Sequence, residues 1–163
     1  MKRLLVILFA VMLIFGATGK AFTAVLDFED LYQGYETYAQ LPAGYGGFTW
    51  NDDAWYVTDQ YFPGSGYDYG TIGQVSLFGA WADDVIMTSS VPFDFIGAYI
   101  TAAWNSSEEV VIEGWTAGTQ TYSETIETSV DGPYWWDFNF LGVDEVRFRS
   151  LPEDGTGGVH ILL

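Results

Sequence analysis

The sequence predicts an all-β domain, an antiparallel β-sandwich of jelly-roll type. Three observations carry that expectation. Short segments alternate apolar and polar residues with the period of a half-buried strand. Turn signals recur about every 8–12 residues, the spacing of sandwich strands. Aromatic residues make up 18% of the chain and accompany 19 glycines, while helix-type periodicity is almost absent.

The 163 residues suffice for one domain with a real core. Residues 1–24 are expected to stand outside it. Lys2 and Arg3 precede an apolar run over residues 4–15 and then small residues, the pattern of a secretory signal peptide with cleavage after Ala21. The run is short for a bilayer span, so stable membrane insertion is not expected. Export with no cysteine means no disulfide, and stability must come from the core. Residues 25–163 then form the single sandwich domain.

Charge narrows the partners. The chain holds 5 Lys+Arg and 22 Asp+Glu. Lys2, Arg3 and Lys20 lie in the leader, where no acid does, so Arg147 and Arg149 face 22 acids and the remainder carries −20. Such a surface repels phosphate, which argues against nucleic acid and anionic membranes.

The elements follow in order. Residues 25–30 (VLDFED) alternate and predict a first strand. Residues 31–45 read as a polar, tyrosine-rich connection. Strands are expected at 48–50 and 54–57, divided by an Asn51-Asp52-Asp53 turn. Residues 58–73 form the longest irregular segment, and loops of this length in compact domains tend to be functional. A strand over 74–78, a turn holding Trp81, and a strand over 84–89 come next.

Residues 91–126 organise the rest as three strands joined by two turns. Gly97 breaks the alternation, which suggests a bulge. In the second turn an Ala117-Gly118 pair would force Ala117 to positive φ. A three-residue loop avoids this and sets Ile112 opposite Tyr122 and Glu113 opposite Thr121. Val110, Ile112 and Tyr122 then face the core; Val111, Glu113, Trp115, Thr121 and Ser123 face out. Residues 134–140 and 143–150 give two more strands, with Arg147 and Arg149 outward. A last strand begins at Val159.

The segments LDFEDL, LPAGYGGFTW, FDFIGAYITAAWN, VVIEGWTAGTQTYSET and FNFLGVDEVRFRS resemble secreted bacterial β-sandwich proteins of the PEP-CTERM-associated exoprotein type. The similarity spans residues 25–163 and rests on turn glycines and strand alternation. It implies a jelly roll like the galactose-binding or carbohydrate-binding modules, and a secreted, extracellular location. The sorting tail of that family does not follow Leu163, nor does its acidic ending. This leaves open a chain truncated at its C-terminus or one released freely.

Three chemistries can be weighed on that frame. Sugar-binding jelly rolls stack aromatic rings on a pyranose, with polar groups taking its hydroxyls. The expected ligand-binding set is Trp55, Tyr61, Tyr67, Tyr69, Trp81 and Asp59, with Asp52, Asp53 and Asp68 nearby. Trp55 and Tyr56 must lie on opposite strand faces, so one of them belongs to the core. Trp115 with Glu113 is a second candidate. For metal, related jelly rolls tie first strand to last with a calcium ion, and Glu29 and Asp30 match the first-strand ligand positions. For catalysis, the single histidine, His160, has no nucleophile elbow before it. Glu113 and Glu124 fall on opposite faces rather than across a cleft. The expectation is therefore a non-catalytic, exported carbohydrate-binding module whose partner is an extracellular glycan or surface polysaccharide. The alternatives are a structural or adhesive matrix protein and a small jelly-roll glycoside hydrolase.

Overall fold

The computed structural model describes residues 24–58, 61–69, 72–150 and 161–162. It is an all-β sandwich in which every strand pairing is antiparallel. The strands are β1 (Tyr38–Gln40), β2 (Thr49–Trp50), β3 (Ala54–Thr58), β4 (Val75–Gly79), β5 (Val85–Ala102), β6 (Glu108–Thr116), β7 (Thr119–Thr128), β8 (Tyr134–Ser150) and β9 (Ile161–Leu162). Their lateral order is β1-β3-β4-β9-β5-β8-β6-β7, with β2 paired to β5. Strands β1, β3, β4 and β9 form one layer; β2, β8, β6 and β7 form the other. Strand β5 belongs to both, because Thr101 and Ala102 at its end pair with β9 while its body pairs with β8. Among the described residues no helix is long and apolar enough to cross a membrane.

The alternation read in the sequence fixes which side chains meet between the layers. Tyr56, Val75 and Leu77 of the first layer pack against Val85, Met87, Ile100, Val110, Ile112, Phe138, Phe140, Val146 and Phe148 of the second. Phe140 stacks on Tyr122 at 4.9 Å between ring centroids. The two strands expected around Pro92 are one 18-residue strand, and its register slips three times between Thr88 and Gly97. Gly97 is at the last slip. A Cβ there would lie 2.3 Å from the Trp136 carbonyl oxygen, so the residue must be glycine for β8 to approach.

Three further expectations need correction. The strands expected at 134–140 and 143–150 are one 17-residue strand, β8, which runs on through Gly142. Residues 25–30 do not form a strand. Phe28 adopts a left-handed φ of 59° and buries its ring against Tyr45 at 5.3 Å, and the chain then turns through a 3-10 segment, Glu29–Leu31. Ring packing, not a ladder, holds this segment. The β6–β7 hairpin also closes on two residues rather than three. Thr116 pairs with Thr119, and Ala117 takes the positive φ of 51° that was expected to be avoided. The cause is distant in sequence: Asp144 accepts the Ala117 N–H at 2.8 Å. With a bulge between Gly114 and Trp115, Ile112 faces Glu124, Glu113 faces Ser123, and Gly114 faces Tyr122. The shift is by two residues, so the faces assigned to the side chains survive.

Candidate functional site

The first layer has two faces, and the outer one carries the candidate site. Direct partners in an antiparallel pair share a face. Tyr38 pairs with Val57, Gln40 with Trp55, and Trp55 with Phe78, so Tyr38, Trp55, Val57 and Phe78 all point away from the sandwich core. Tyr56 points the other way and is buried in that core. A second, smaller cluster of Val57, Tyr67, Phe78, Ala80 and Ala103 forms on this outer face.

The described part of the long irregular segment lies across it. A single helical turn, α1 (Gly66–Tyr69), seats Tyr67 at 1% exposure. Ser65 holds the approach: its hydroxyl donates to the Phe62 carbonyl at 2.6 Å and accepts the Tyr67 N–H at 3.2 Å. The Gly66 N–H donates to the Ala103 carbonyl at 2.7 Å, tying the segment to the end of β5.

Between this segment and the sheet opens a cavity of about 170 Å³, lined by Tyr38, Trp55, Phe62, Tyr67, Phe78, Ala80, Trp81 and Trp104. The rings brace one another. Tyr38 stacks on Trp55 at 5.8 Å, and Trp104 meets Phe62 and Tyr67 edge-on at 5.7 and 5.6 Å. Trp81 stands at the lip with 81% exposure. It sits inside a 3-10 turn, Ala80–Ala82, yet its own φ is 61°, left-handed. The turn enforces this. The Ala80 N–H donates to the Asp53 carbonyl at 2.8 Å, the Asp83 N–H donates to the Ala80 carbonyl at 3.1 Å, and a Cβ on Gly79 would lie 2.2 Å from the Asp83 carbonyl oxygen.

Trp55, Tyr67 and Trp81 of the expected set thus share one cavity. Tyr61 stands behind it, edge-on to Tyr38 at 4.8 Å. Tyr69 is on the exposed side of α1 and does not line the cavity. Asp59 lies outside the described residues, as does His160. Reading the sequence missed Tyr38, Phe62, Phe78 and Trp104. The Tyr-Ala-Gln run at 38–40 was a weak strand signal inside a segment taken as a connection. Trp104 lies in the expected turn two residues past β5, and its ring forms a wall of the cavity.

Asp52, Asp53 and Asp68, expected beside these rings, are not among the described residues that line the cavity. Asp53 Oδ2 accepts from Asn51 at 3.3 Å, and Asp68 Oδ2 accepts the Gly64 N–H at 3.0 Å. Asp52 contributes its carbonyl, which accepts the Trp55 indole N–H at 3.1 Å.

Burial dominates the Tyr67 phenol, with the Glu108 charge adding to it; both raise its pKa well beyond the ordinary phenol value. The folded phenol therefore stays protonated where the unfolded one, near pH 10, ionises. The stability this represents is complete below about pH 10 and is lost as pH rises beyond it. Phenolate absorbance is expected to show one tyrosine that appears only together with alkaline unfolding. A Tyr67→Phe variant should lack that step.

Glu29 and Asp30, matched to calcium-ligand positions, are engaged by protein groups. Glu29 Oε1 accepts the backbone N–H of Gln74 at 2.7 Å and of Val75 at 3.0 Å. Asp30 Oδ1 accepts the Tyr45 hydroxyl at 2.6 Å. Among the described residues no group of three His, Cys, Asp or Glu is placed to hold a metal ion.

The outward Trp115–Glu113 pair is closed on itself. Arg147 lies 4.1 Å from the Trp115 ring centroid, and the indole N–H donates to Glu113 at 3.1 Å. Arg149 bridges Asp84 at 3.1 Å and Glu113 at 3.7 Å. The hydrogen bond and charge of Asp84, then the charge of Glu113, raise the pKa of its guanidinium further. Both arginines of the described residues are thus paired with carboxylates, Arg147 with Glu145. Glu113 and Glu124 lie on opposite faces of the hairpin.

No family model matches the chain, and no curated protein matches it. Among solved structures the chain is similar to the crystal structure of a DUF4465 family protein from Bacteroides caccae ATCC 43185. The match covers 85% of this chain and 95% of that one, at a TM-score of 0.53 and 13% sequence identity. At that identity the likeness concerns architecture, and it supports the β-rich sandwich.

Proposed function

We propose that the protein is an exported, non-catalytic module that binds a carbohydrate in the aromatic cavity on the outer face of its first layer. Trp81 is the observation that carries this. A left-handed conformation costs a residue with a Cβ about 1–2 kcal/mol. A ring at 81% exposure recovers little of that by burial. Strain held by a tight turn and set beside a cavity is where ligand clamps are found. The flat, apolar walls suit the apolar face of a pyranose, and pockets with aromatic walls and few polar groups are the common form of small-ligand sites. The acidic balance and the paired arginines favour an uncharged ligand. The basic, apolar leader supports an extracellular glycan as partner.

Trp81→Gly separates binding from folding, because glycine accepts positive φ freely. The variant is expected to melt within about 1 kcal/mol of the parent and to lose at least about tenfold in affinity for a retained glycan. The measurement is affinity electrophoresis and a glycan array spanning plant, algal and bacterial polysaccharides. No retention by any of them, or equal retention by parent and variant, defeats the reading.

A structural or adhesive role draws on a different feature. Tyr99 and Trp135, both partly exposed, meet edge-on at 5.0 Å on the outer face of the second layer. Concentration-dependent light scattering abolished by Trp135→Ser would favour that role.

A further inference from the structure

We infer that the cavity selects a chain-terminal 6-deoxyhexose, a neutral ring bearing a methyl group where a common hexose has a hydroxymethyl group. This rests on the carbohydrate reading above and narrows it.

The argument is one of hydrogen-bond inventory. The eight described lining residues are seven aromatics and one alanine. None has a carboxylate, an amide or an aliphatic hydroxyl. The indoles of Trp55, Trp81 and Trp104 can only donate. That of Trp55 is already engaged by the Asp52 carbonyl. Tyr67 is sealed at the base, against the charge of Glu108. Asp53 and Asp68 are turned into their own loops. Beyond Tyr67, the one acceptor among the described lining side chains is the Tyr38 phenol, which is 44% exposed and meets solvent, so the buried interior offers almost nothing to accept a hydrogen bond from a sugar hydroxyl. A hydroxyl carried inward would lose its water and gain no acceptor, which is unfavourable, whereas a methyl group there gains by burial.

Size sets the second half of the claim. Pockets for drug-sized ligands start at about 300 Å³. A cavity of about 170 Å³ takes one ring and not a run of them. A single ring entering from a lip is the end of a glycan rather than its middle. Charge sets the third. The residues after the leader carry 22 acids against two bases, so a uronate or sulfated ring is repelled before it arrives.

Calorimetric titration of the whole protein with methyl glycosides tests this. The probes are methyl 6-deoxyhexosides of the galacto and manno series, in D and L forms, each against its parent methyl hexoside and the matching methyl hexuronide. An apolar pocket discriminates against an added hydroxyl by up to about 10². At least one deoxy sugar is expected to bind at least about tenfold more tightly than its parent, with no binding of the uronide and loss of binding in Trp81→Gly. Parents that bind as well as the deoxy sugars in both series overturn the inference. So does binding seen only with longer oligosaccharides; in both cases carbohydrate recognition itself still stands. If neither the methyl glycosides nor the polysaccharides of the array bind, both readings fall.

Discussion

Gly66→Ala is expected to lower the melting temperature by about 10 °C and to open the aromatic cavity. A Cβ at this position would sit 1.8 Å from the Ala102 carbonyl oxygen, 2.9 Å from its carbon and 3.1 Å from the Ala103 Cα. All three are backbone atoms, so no side-chain rotation makes room. The helical turn must lift from the end of β5, and the 2.7 Å bond from Gly66 N–H to Ala103 goes with it. Lifting the turn uncovers Tyr67, whose ring and neighbours bury on the order of 150 Å² or more. At about 25 cal/mol per Å² this alone approaches 4 kcal/mol, and each kcal/mol shifts the melting point of a domain this size by about 2–4 °C. The Tyr67 phenol should then titrate near its ordinary value of about 10. Far-UV dichroism should stay that of a β-sandwich, because the main core is elsewhere. A variant that melts like the parent with a protected phenol would show that the roof yields easily.

Glu29→Ala is expected to cost about 2 kcal/mol, with Glu29→Gln much closer to the parent. Oε1 of Glu29 receives two backbone N–H groups from the start of β4. Hydrogen bonds to a charged group contribute about 1.5–3 kcal/mol each when well shielded, and this side chain is only half-buried, which lowers the figure. A glutamine oxygen can still accept both. The carboxylate also rests against Gly73, where a Cβ would lie 2.3 Å from Oε1. If calcium were the reason for the residue, glutamine would fail as badly as alanine, and the loss would appear only with the ion present. Thermal melts of parent and both variants, in calcium and in chelator, separate the two. The tether requires the same ranking in both buffers.

Much of the architecture could be read from alternation. Strands β3, β4 and β6 lie where period-two patterns placed them, the two strands expected at 134–140 and 143–150 are the halves of β8, Gly97 marks a slip in register, and Trp55 and Tyr56 divide between two faces as a strand requires. The failures share a cause. Phe28 looks like a strand residue, but its rings of contact come from Tyr45 and Trp50. Ala117 looks unfit for a two-residue turn until Asp144 arrives from another strand. Local pattern cannot reveal a partner supplied by the fold. The same holds for the site. Trp55, Tyr67 and Trp81 are near in sequence and were found together, whereas Tyr38 and Trp104 reach the cavity only because β1 and the end of β5 flank β3 and β4 in space. Asp53 and Asp68 serve their own turns first, a local need that the residue type alone does not separate from ligand binding.

The small cluster that supports the cavity shares no buried residue with the main core. Substitutions in residues without common partners act almost independently. On the proposed carbohydrate reading, exchange of Phe62, Trp81 or Trp104 would alter which ligand the cavity holds while the main core beneath keeps its own packing.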